Sequence, residues 1–316
     1  MRMKRLCAPM MTLCLLLVLG EDTGKRTEDA KHFRMSDGSY TLVQYGEPVH
    51  YEKDGALEDI DNRLVEGTET DEGESTAVYG TEKNRFQVKF AKNTNSKFLM
   101  KVKQGEMGLD WSLISPEPRK VFGEAENNGE APEEEPYALP HLTSAMRYAG
   151  ILPDTDIEYV VTPTGVKENI IVSKRQESYT YEFELKVKKA SLTLEEDGSI
   201  AVRDEAGETR FVIPSPVLYD AEGEASEAAH YELEPGKNGK RYILRIVADP
   251  DWVNAPGRPF PVTIDPVIQT SQDFSNMNHA FVAEGKANET LTARGMYETG
   301  YQKTEKQLRS YWSMSL

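Results

Sequence analysis

The sequence has little cysteine and little histidine. Its two cysteines, Cys7 and Cys14, both lie in the first twenty of 316 residues. The remaining residues can therefore form no disulfide framework, thiolate zinc site or cysteine nucleophile. None of the five histidines has His-x-His spacing, and His50, between Val49 and Tyr51, is better explained as a half-buried strand residue than as a catalytic base. We expect no metal site, no cofactor and no catalytic residues.

Familiar catalytic motifs are also missing. The sequence contains no Gly-x-Ser-x-Gly elbow and no glycine-rich phosphate loop after a strand. Carboxylates are plentiful, with 53 Asp and Glu, but a glycosidase needs two of them held across a cleft. Glu182 and Glu184 instead share one exposed strand face. We predict that the chain is not an enzyme, with a glycan hydrolase as the weakest alternative.

Positive charge is in short supply. Lys and Arg number 37, and the net charge is −16. Because proteins neutralise phosphates with clustered Lys and Arg, this balance argues against a nucleic-acid partner. It also argues against docking on anionic lipid.

The first twenty residues have the pattern of a signal peptide. A basic start (Arg2, Lys4, Arg5) precedes an apolar stretch, Leu6–Leu19, that is short for a membrane span. We predict a secreted protein that has no membrane contact once residues 1–20 are removed. Residues 21–32 are polar and lack periodicity, which predicts a disordered spacer.

Short alternating segments separated by turns dominate the rest of the chain and predict an all-β fold. The first predicted β unit covers residues 33–115, where Phe86, Val88 and Phe90 alternate with polar residues. Residues 116–136 are predicted to be an acidic linker. The alternative for that stretch, a calcium-binding tract, would need regularly spaced ligands.

The second predicted β-sandwich unit, residues 137–266, has the clearest pattern. Apolar and polar residues alternate strictly from Tyr179 to Val187, which predicts a strand with one buried face. In the hairpin near residue 167, Lys167 is expected to pair across the sheet with a carboxylate. Residues 267–316 predict the start of a jelly-roll-like third unit, too short to close, which suggests a truncated reading frame or a fragment.

A ligand site, if present, is best placed on the loop with Asp251 and Trp252, because an exposed tryptophan can stack on a sugar. The alternative is that the aromatic residues of the chain, Trp252 included, are core or cross-strand partners.

Several segments, taken in order, resemble one known family. They are Asp37-Gly38-Ser39-Tyr40, Pro48-Val49-His50-Tyr51, Ile60-Asp61-Asn62-Arg63-Leu64, Asp156-Ile157-Glu158-Tyr159, Gly165-Val166-Lys167-Glu168 and Phe260-Pro261-Val262-Thr263-Ile264-Asp265-Pro266. This order is similar to the N-terminal region of wall-associated, RHS (YD-repeat) surface proteins and DNRLRE-domain proteins of Gram-positive bacteria. One departure is Phe260, where that family often has tyrosine.

The resemblance implies a signal peptide, then this region, then a DNRLRE unit that would begin within 267–316. It brings no catalytic residues, and the chain has no Tyr-Asp repeats, wall anchor or toxin domain to carry such roles. We therefore expect a non-catalytic structural or presentation module of a large cell-surface protein, with downstream surface-protein domains as partners. The alternative is a carbohydrate- or cell-wall-binding β-sandwich module with cell-wall glycan as its partner.

Overall fold

The computed structural model describes residues 18–71, 73–115, 119–127, 137, 139–270, 277–283, 300–302 and 306–314. Strands make up 58% of the structure and helix 3%, so the all-β prediction is confirmed. Residues 1–17 of the predicted signal peptide and most of the acidic linker at 116–136 lie outside the described residues.

The described elements follow one another along the chain in this order. The strands are β1 Val18–Glu21, β2 Ala30–Met35, β3 Tyr40–Gln44, β4 His50–Lys53, β5 Ala56–Asp59, β6 Val65–Asp71, β7 Glu74–Gly80, β8 Gln87–Ala91, β9 Met100–Gln104, β10 Met107–Ile114, β11 Glu124–Asn127, β12 Ser144–Leu152, β13 Thr155–Val161, β14 Gly165–Val172, β15 Thr180–Lys188, β16 Ala190–Leu194, β17 Ile200–Asp204, β18 Thr209–Ile213, β19 Val217–Tyr219, β20 Ala225–Ser226, β21 Ala229–Pro235, β22 Arg241–Ala248, β23 Val262–Asp265, β24 Val267–Thr270, β25 Met277–Ala283, β26 Gly300–Gln302 and β27 Lys306–Met314; the helices are a 3-10 turn, Thr23–Lys25, and α1 Pro250–Val253.

The N-terminal strands form a small sheet in the order β1-β2-β3 and a separate hairpin of β4 and β5. The expected disordered spacer at 21–32 is wrong, because charged residues there pair with one another and with the hairpin. Glu21 accepts hydrogen bonds from Arg26 (2.7 Å) and Lys31 (3.3 Å), and both cations also pair with Asp59. His50, expected to be half-buried, is fully buried beside this network.

Two large sheets make up most of the structure. The first has eight antiparallel strands in the order β21-β22-β15-β10-β9-β8-β7-β6. The second follows the path β11-β12-β13-β14-β24-β18-β17-β16, with β23 pairing with β14 and with β19, which in turn pairs with β20. Their inward side chains form one continuous apolar core, as expected of a β-sandwich.

Aromatic side chains join the two sheets. Phe90 on β8 stacks on Tyr159 of β13 with ring centroids 5.4 Å apart, and Phe86 meets Phe211 of β18 edge-on at 6.2 Å. The hydroxyl of Tyr148 on β12 donates a 2.6 Å hydrogen bond to the carbonyl of Ala91. Offset and edge-on geometries are those that aromatic pairs prefer, so these contacts set the spacing between the sheets.

The predicted boundary between a first unit (33–115) and a second (137–266) does not separate two sheets. Strand β15 pairs with β10 from Glu182 to Lys188, with Trp111 opposite Leu185. Strands β21 and β22 then extend the same sheet. Sequence periodicity shows which residues face inward but not which strands are neighbours. The pairing of strands from the two predicted units in one sheet therefore could not be predicted.

The predicted strand from Tyr179 to Val187 is present as β15. Its residues alternate between buried and partly exposed positions along almost the whole strand. Gly165 begins β14 at a close backbone approach, where a Cβ atom would overlap the carbonyl oxygen of Ile268. The absence of a side chain therefore lets β24 lie against β14.

The segment Asp61–Leu64 connects the small sheets to the sandwich. Asn62 is fully buried, and its amide donates to the carbonyl of Leu142 at 2.6 Å and accepts from Asn84 at 3.0 Å. Its backbone carbonyl accepts from Ser144 at 2.6 Å. A buried amide with this many partners stabilises the segment that connects the small sheets to the sandwich.

Near the C-terminus, three strands form a sheet in the order β25-β27-β26. The predicted strands at 281–283 and 307–314 fall within β25 and β27, and the one predicted at 289–293 lies outside the described residues. The assignment of this region to a DNRLRE unit stays a prediction.

Candidate functional site

The predicted ligand residues lie on the short helix α1. Asp249 caps this helix, with its carboxylate accepting a 2.8 Å hydrogen bond from the backbone N–H of Asp251. Asp251 is exposed, whereas Trp252 is partly buried against the core. The guanidinium of Arg258 lies 3.8 Å from the centroid of the Trp252 ring and also pairs with Asp220 at 2.7 Å. One face of the ring is therefore occupied by this chain's own arginine.

Glu182 and Glu184 share the outer face of β15, as predicted. Arg245 pairs with Glu182, and Arg241 contacts both carboxylate oxygens of Glu184 at 2.8 Å. These are cross-strand ion pairs between β15 and β22. The pairing explains why two carboxylates on one strand face stabilise the sheet and do not form a cleft.

A groove of about 290 Å³ lies on the outer face of the eight-stranded sheet. It brings together lysines that are far apart in the sequence, and this cluster could not be predicted while the strand order was unknown. The charged residues that line it are Lys89, Lys101, Lys103, Lys186 and Lys188, together with Glu69, Asp71, Glu106 and Asp110.

Lys101 is the centre of this groove. Its ammonium contacts Asp71 at 3.1 Å, Asp110 at 3.2 Å and Glu69 at 3.9 Å. Burial raises the pKa of Asp110, although Lys101 opposes the shift. Because carboxylates already balance most of the lysine charge, the groove holds a network of ion pairs and has little charge left for a phosphate.

The hairpin of β13 and β14 contains a second polar group. Lys167 pairs with Asp265 of β23 at 2.5 Å, which confirms the predicted cross-sheet pair. Glu168, which was not among the predicted site residues, points into the core and is 2% exposed. The signal was available, since Glu168 falls between the inward positions Val166 and Ile170.

The described residues hold no group of three or more His, Cys, Asp or Glu side chains placed to bind a metal ion together. Within the same residues, no helix is long and apolar enough to span a membrane.

Comparison with known proteins gives clear relatives at low identity. The chain is 26% identical over 302 residues to the tRNA(Glu)-specific nuclease WapA of Bacillus subtilis subsp. natto. It is 27% identical over 306 residues to the tRNA nuclease WapA of Bacillus subtilis strain 168. Each alignment covers 92% of this chain but 12% of the nuclease, so the chain spans about one-eighth of these relatives.

A shorter relative is the wall-associated protein of Geobacillus stearothermophilus. It is 22% identical over 204 residues, which are 64% of this chain and 75% of that protein. These similarities support a wall-associated surface-protein family. They also support a location at the cell wall or surface. No protein-family model and no solved structure matches the chain.

The Bacillus relatives correct three expectations from the sequence. The chain was expected to be a non-catalytic structural module, not an enzyme, and without a nucleic-acid partner. Its relatives are named as tRNA nucleases, which are enzymes that act on nucleic acid. The names of these relatives contradict all three expectations, which rested on the charge and motifs of 316 residues, whereas the named nucleases are about eight times as long.

Replacing Lys101 with alanine is expected to destabilise the sandwich. The change leaves Asp110, with its raised pKa, partly buried beside Asp71 without the shared cation. We expect the free energy of unfolding to fall by about 1–3 kcal/mol, measured by urea denaturation at pH 7.

Lys174→Ala is the matched control, because the Lys174–Asp154 pair is largely exposed. It should change stability by no more than about 0.5 kcal/mol. Equal effects of the two substitutions would show that the groove network adds nothing beyond an ordinary surface pair.

Proposed function

We propose that this chain is a wall-associated part of a protein that cleaves tRNA. The observation that carries the proposal is the similarity to WapA tRNA nucleases over 92% of the chain. An isolated shared motif would cover a short stretch, whereas this similarity runs through both large sheets. The activity on tRNA is proposed for the whole protein, and this chain is proposed to share its location.

The wall association is supported by the Geobacillus relative. The aligned residues make up 75% of that protein, which is named for its association with the wall. Most of that protein is therefore the region that it shares with this chain. We infer that the shared region includes the residues that bind the protein to the cell wall.

The finer assignment to RHS (YD-repeat) and DNRLRE-domain surface proteins belongs to the same proposal, as does export by a signal peptide at 1–20. It is supported by the ordered motifs of the sequence, one of which contains the buried Asn62. Strand β1, Val18–Glu21, pairs with β2, so removal of residues 1–20 would take away all of that strand except Glu21.

Trp252 and Asp251 are proposed as the contact to wall glycan. Both lie on α1 at the surface of the sandwich, with Asp251 exposed. Arg258 holds the Trp252 ring in a fixed orientation, and a preorganised aromatic residue loses little entropy when it binds.

The activity is tested with purified protein and total bacterial tRNA. The complete gene product in which these residues occur should shorten tRNA, seen as fragments on a denaturing gel, and heat-denatured protein should not. Intact tRNA after incubation with both that product and the chain alone would contradict the proposal.

The wall contact is tested by sedimentation with isolated cell walls. Trp252→Ala should weaken binding by roughly two- to tenfold, the loss expected for one aromatic contact. Trp252→Phe keeps an aromatic face and should bind nearly as the wild type does. Circular dichroism checks that both variants are folded. Unchanged sedimentation of a folded Trp252→Ala variant would exclude this loop as the contact.

A further inference from the structure

Glu168 is an acidic side chain in the middle of an apolar core. It lies on β14 directly opposite Tyr159 of β13, and 2% of its surface is exposed. Its backbone N–H donates to the carbonyl of Pro266 at 2.8 Å, which holds the residue in the sheet. Burial of a charged carboxylate is costly unless it is paired with a cation.

Polar groups from both sheets surround this carboxyl. Trp111 on β10 and Tyr231 on β21 belong to the facing sheet, and Tyr159 and Asp265 lie on β13 and β23. Neither oxygen of the carboxyl makes a hydrogen bond within the described part of the chain. The cation beside this group, Lys167, pairs with Asp265. Glu168 therefore has neutral polar groups and a second acid as neighbours, and no cation among the described residues pairs with it.

The balance of these neighbours favours the neutral acid. Burial raises the pKa of Glu168 to about 8; the polar groups of Tyr159 and Trp111 oppose the shift, and the charge of Asp265 adds to it. Burial also raises the pKa values of Tyr159 and Tyr231 well above their usual range. Both tyrosines therefore stay protonated while Glu168 titrates. Burial raises the pKa of Asp265 as well, against the effect of Lys167.

We propose that Glu168 binds a proton in the core of the sandwich and that loss of this proton loosens the packing between the two sheets. The step releases one proton from the carboxylic acid to solvent and leaves a carboxylate between the sheets. The stability of the sandwich then depends on the pH of the surrounding solution, independently of any activity on tRNA.

The direction of the effect follows from linkage. In the unfolded chain a glutamate has a pKa near 4.5, below the value of about 8 in the folded protein. The folded state therefore holds the proton more tightly, and its stability is greatest at low pH. Between pH 4.5 and 8, each unit of rising pH increases the unfolding equilibrium constant by about tenfold through this group, and above pH 8 the effect levels off.

The test compares Glu168→Gln with the wild type in urea denaturation at pH 5, 6, 7 and 8. Glutamine has nearly the shape of the protonated acid and cannot ionise. The unfolding constant of the wild type should rise relative to that of Glu168→Gln by about tenfold per pH unit. Parallel pH profiles for the two proteins would overturn the proposal.

Two further variants assign the effect to this residue. Glu158→Gln changes a carboxyl on the same hairpin that accepts a 2.9 Å hydrogen bond from Asn169 on the outer face, and it should keep the wild-type profile. Asp265→Asn should keep a pH dependence that Glu168→Gln then removes. If Asp265→Asn alone removes the dependence, the proton belongs to Asp265 and the proposal fails.

A direct measurement covers the case in which Glu168→Gln does not fold. Infrared spectroscopy of the folded wild type should show the carbonyl band of a protonated carboxylic acid at pH 6 that fades by pH 9. A wild-type spectrum without that band at pH 6 would also overturn the proposal.

Discussion

The structure depends on the antiparallel pairing of β10 with β15. This pairing places residues from two well-separated parts of the chain side by side in one sheet, with Trp111 opposite Leu185. Trp111 also packs against Phe183, with ring centroids 5.4 Å apart. Because the strands on both sides of this pair continue the same sheet, the pair joins the strands of residues 65–114 to those of residues 180–248. The apolar core is shared, and neither half can bury its inward face alone.

Two polar side chains, Asn62 and Glu168, are buried in this structure in different ways. Asn62 is accepted because Leu142 and Asn84, which are distant in the sequence, form hydrogen bonds with its amide. Glu168 forms no ion pair with a cation of the described residues, and in our proposal its carboxyl is neutral at moderate pH. The contrast shows two ways in which a core tolerates a polar side chain: by full hydrogen bonding or by keeping the proton. Only the second depends on the pH of the surroundings.

Local pattern was enough to predict the strands but not their arrangement. The alternation from Tyr179 to Val187 correctly predicted the inward face of β15, and Lys167 was correctly expected to meet a carboxylate. The lysine groove and the pairing of β15 with β10 depend on which strands are neighbours. The alternation of apolar and polar residues does not encode this. The ordered residues at 21–32 were missed because their charges are paired with partners that include Asp59, distant in sequence.

Function could be predicted from the chain only in part. Motif order led to wall-associated proteins, which the relatives support, whereas the expectation of a non-catalytic chain with no nucleic-acid partner was wrong. Composition describes only the residues that are counted, and the alignment with this chain covers 12% of each tRNA nuclease. The structure of this sandwich therefore supports the arguments about stability and wall association. The proposed activity on tRNA rests on the sequence similarity alone.

Native-state hydrogen exchange tests the shared core most directly. If β10 and β15 belong to one cooperative unit, the amides of Leu109, Trp111, Phe183 and Leu185 should exchange with the same opening free energy, equal to that of global unfolding. Clearly different exchange free energies for the amides of β10 and β15 would show that the two halves are independent units and would contradict a single shared core.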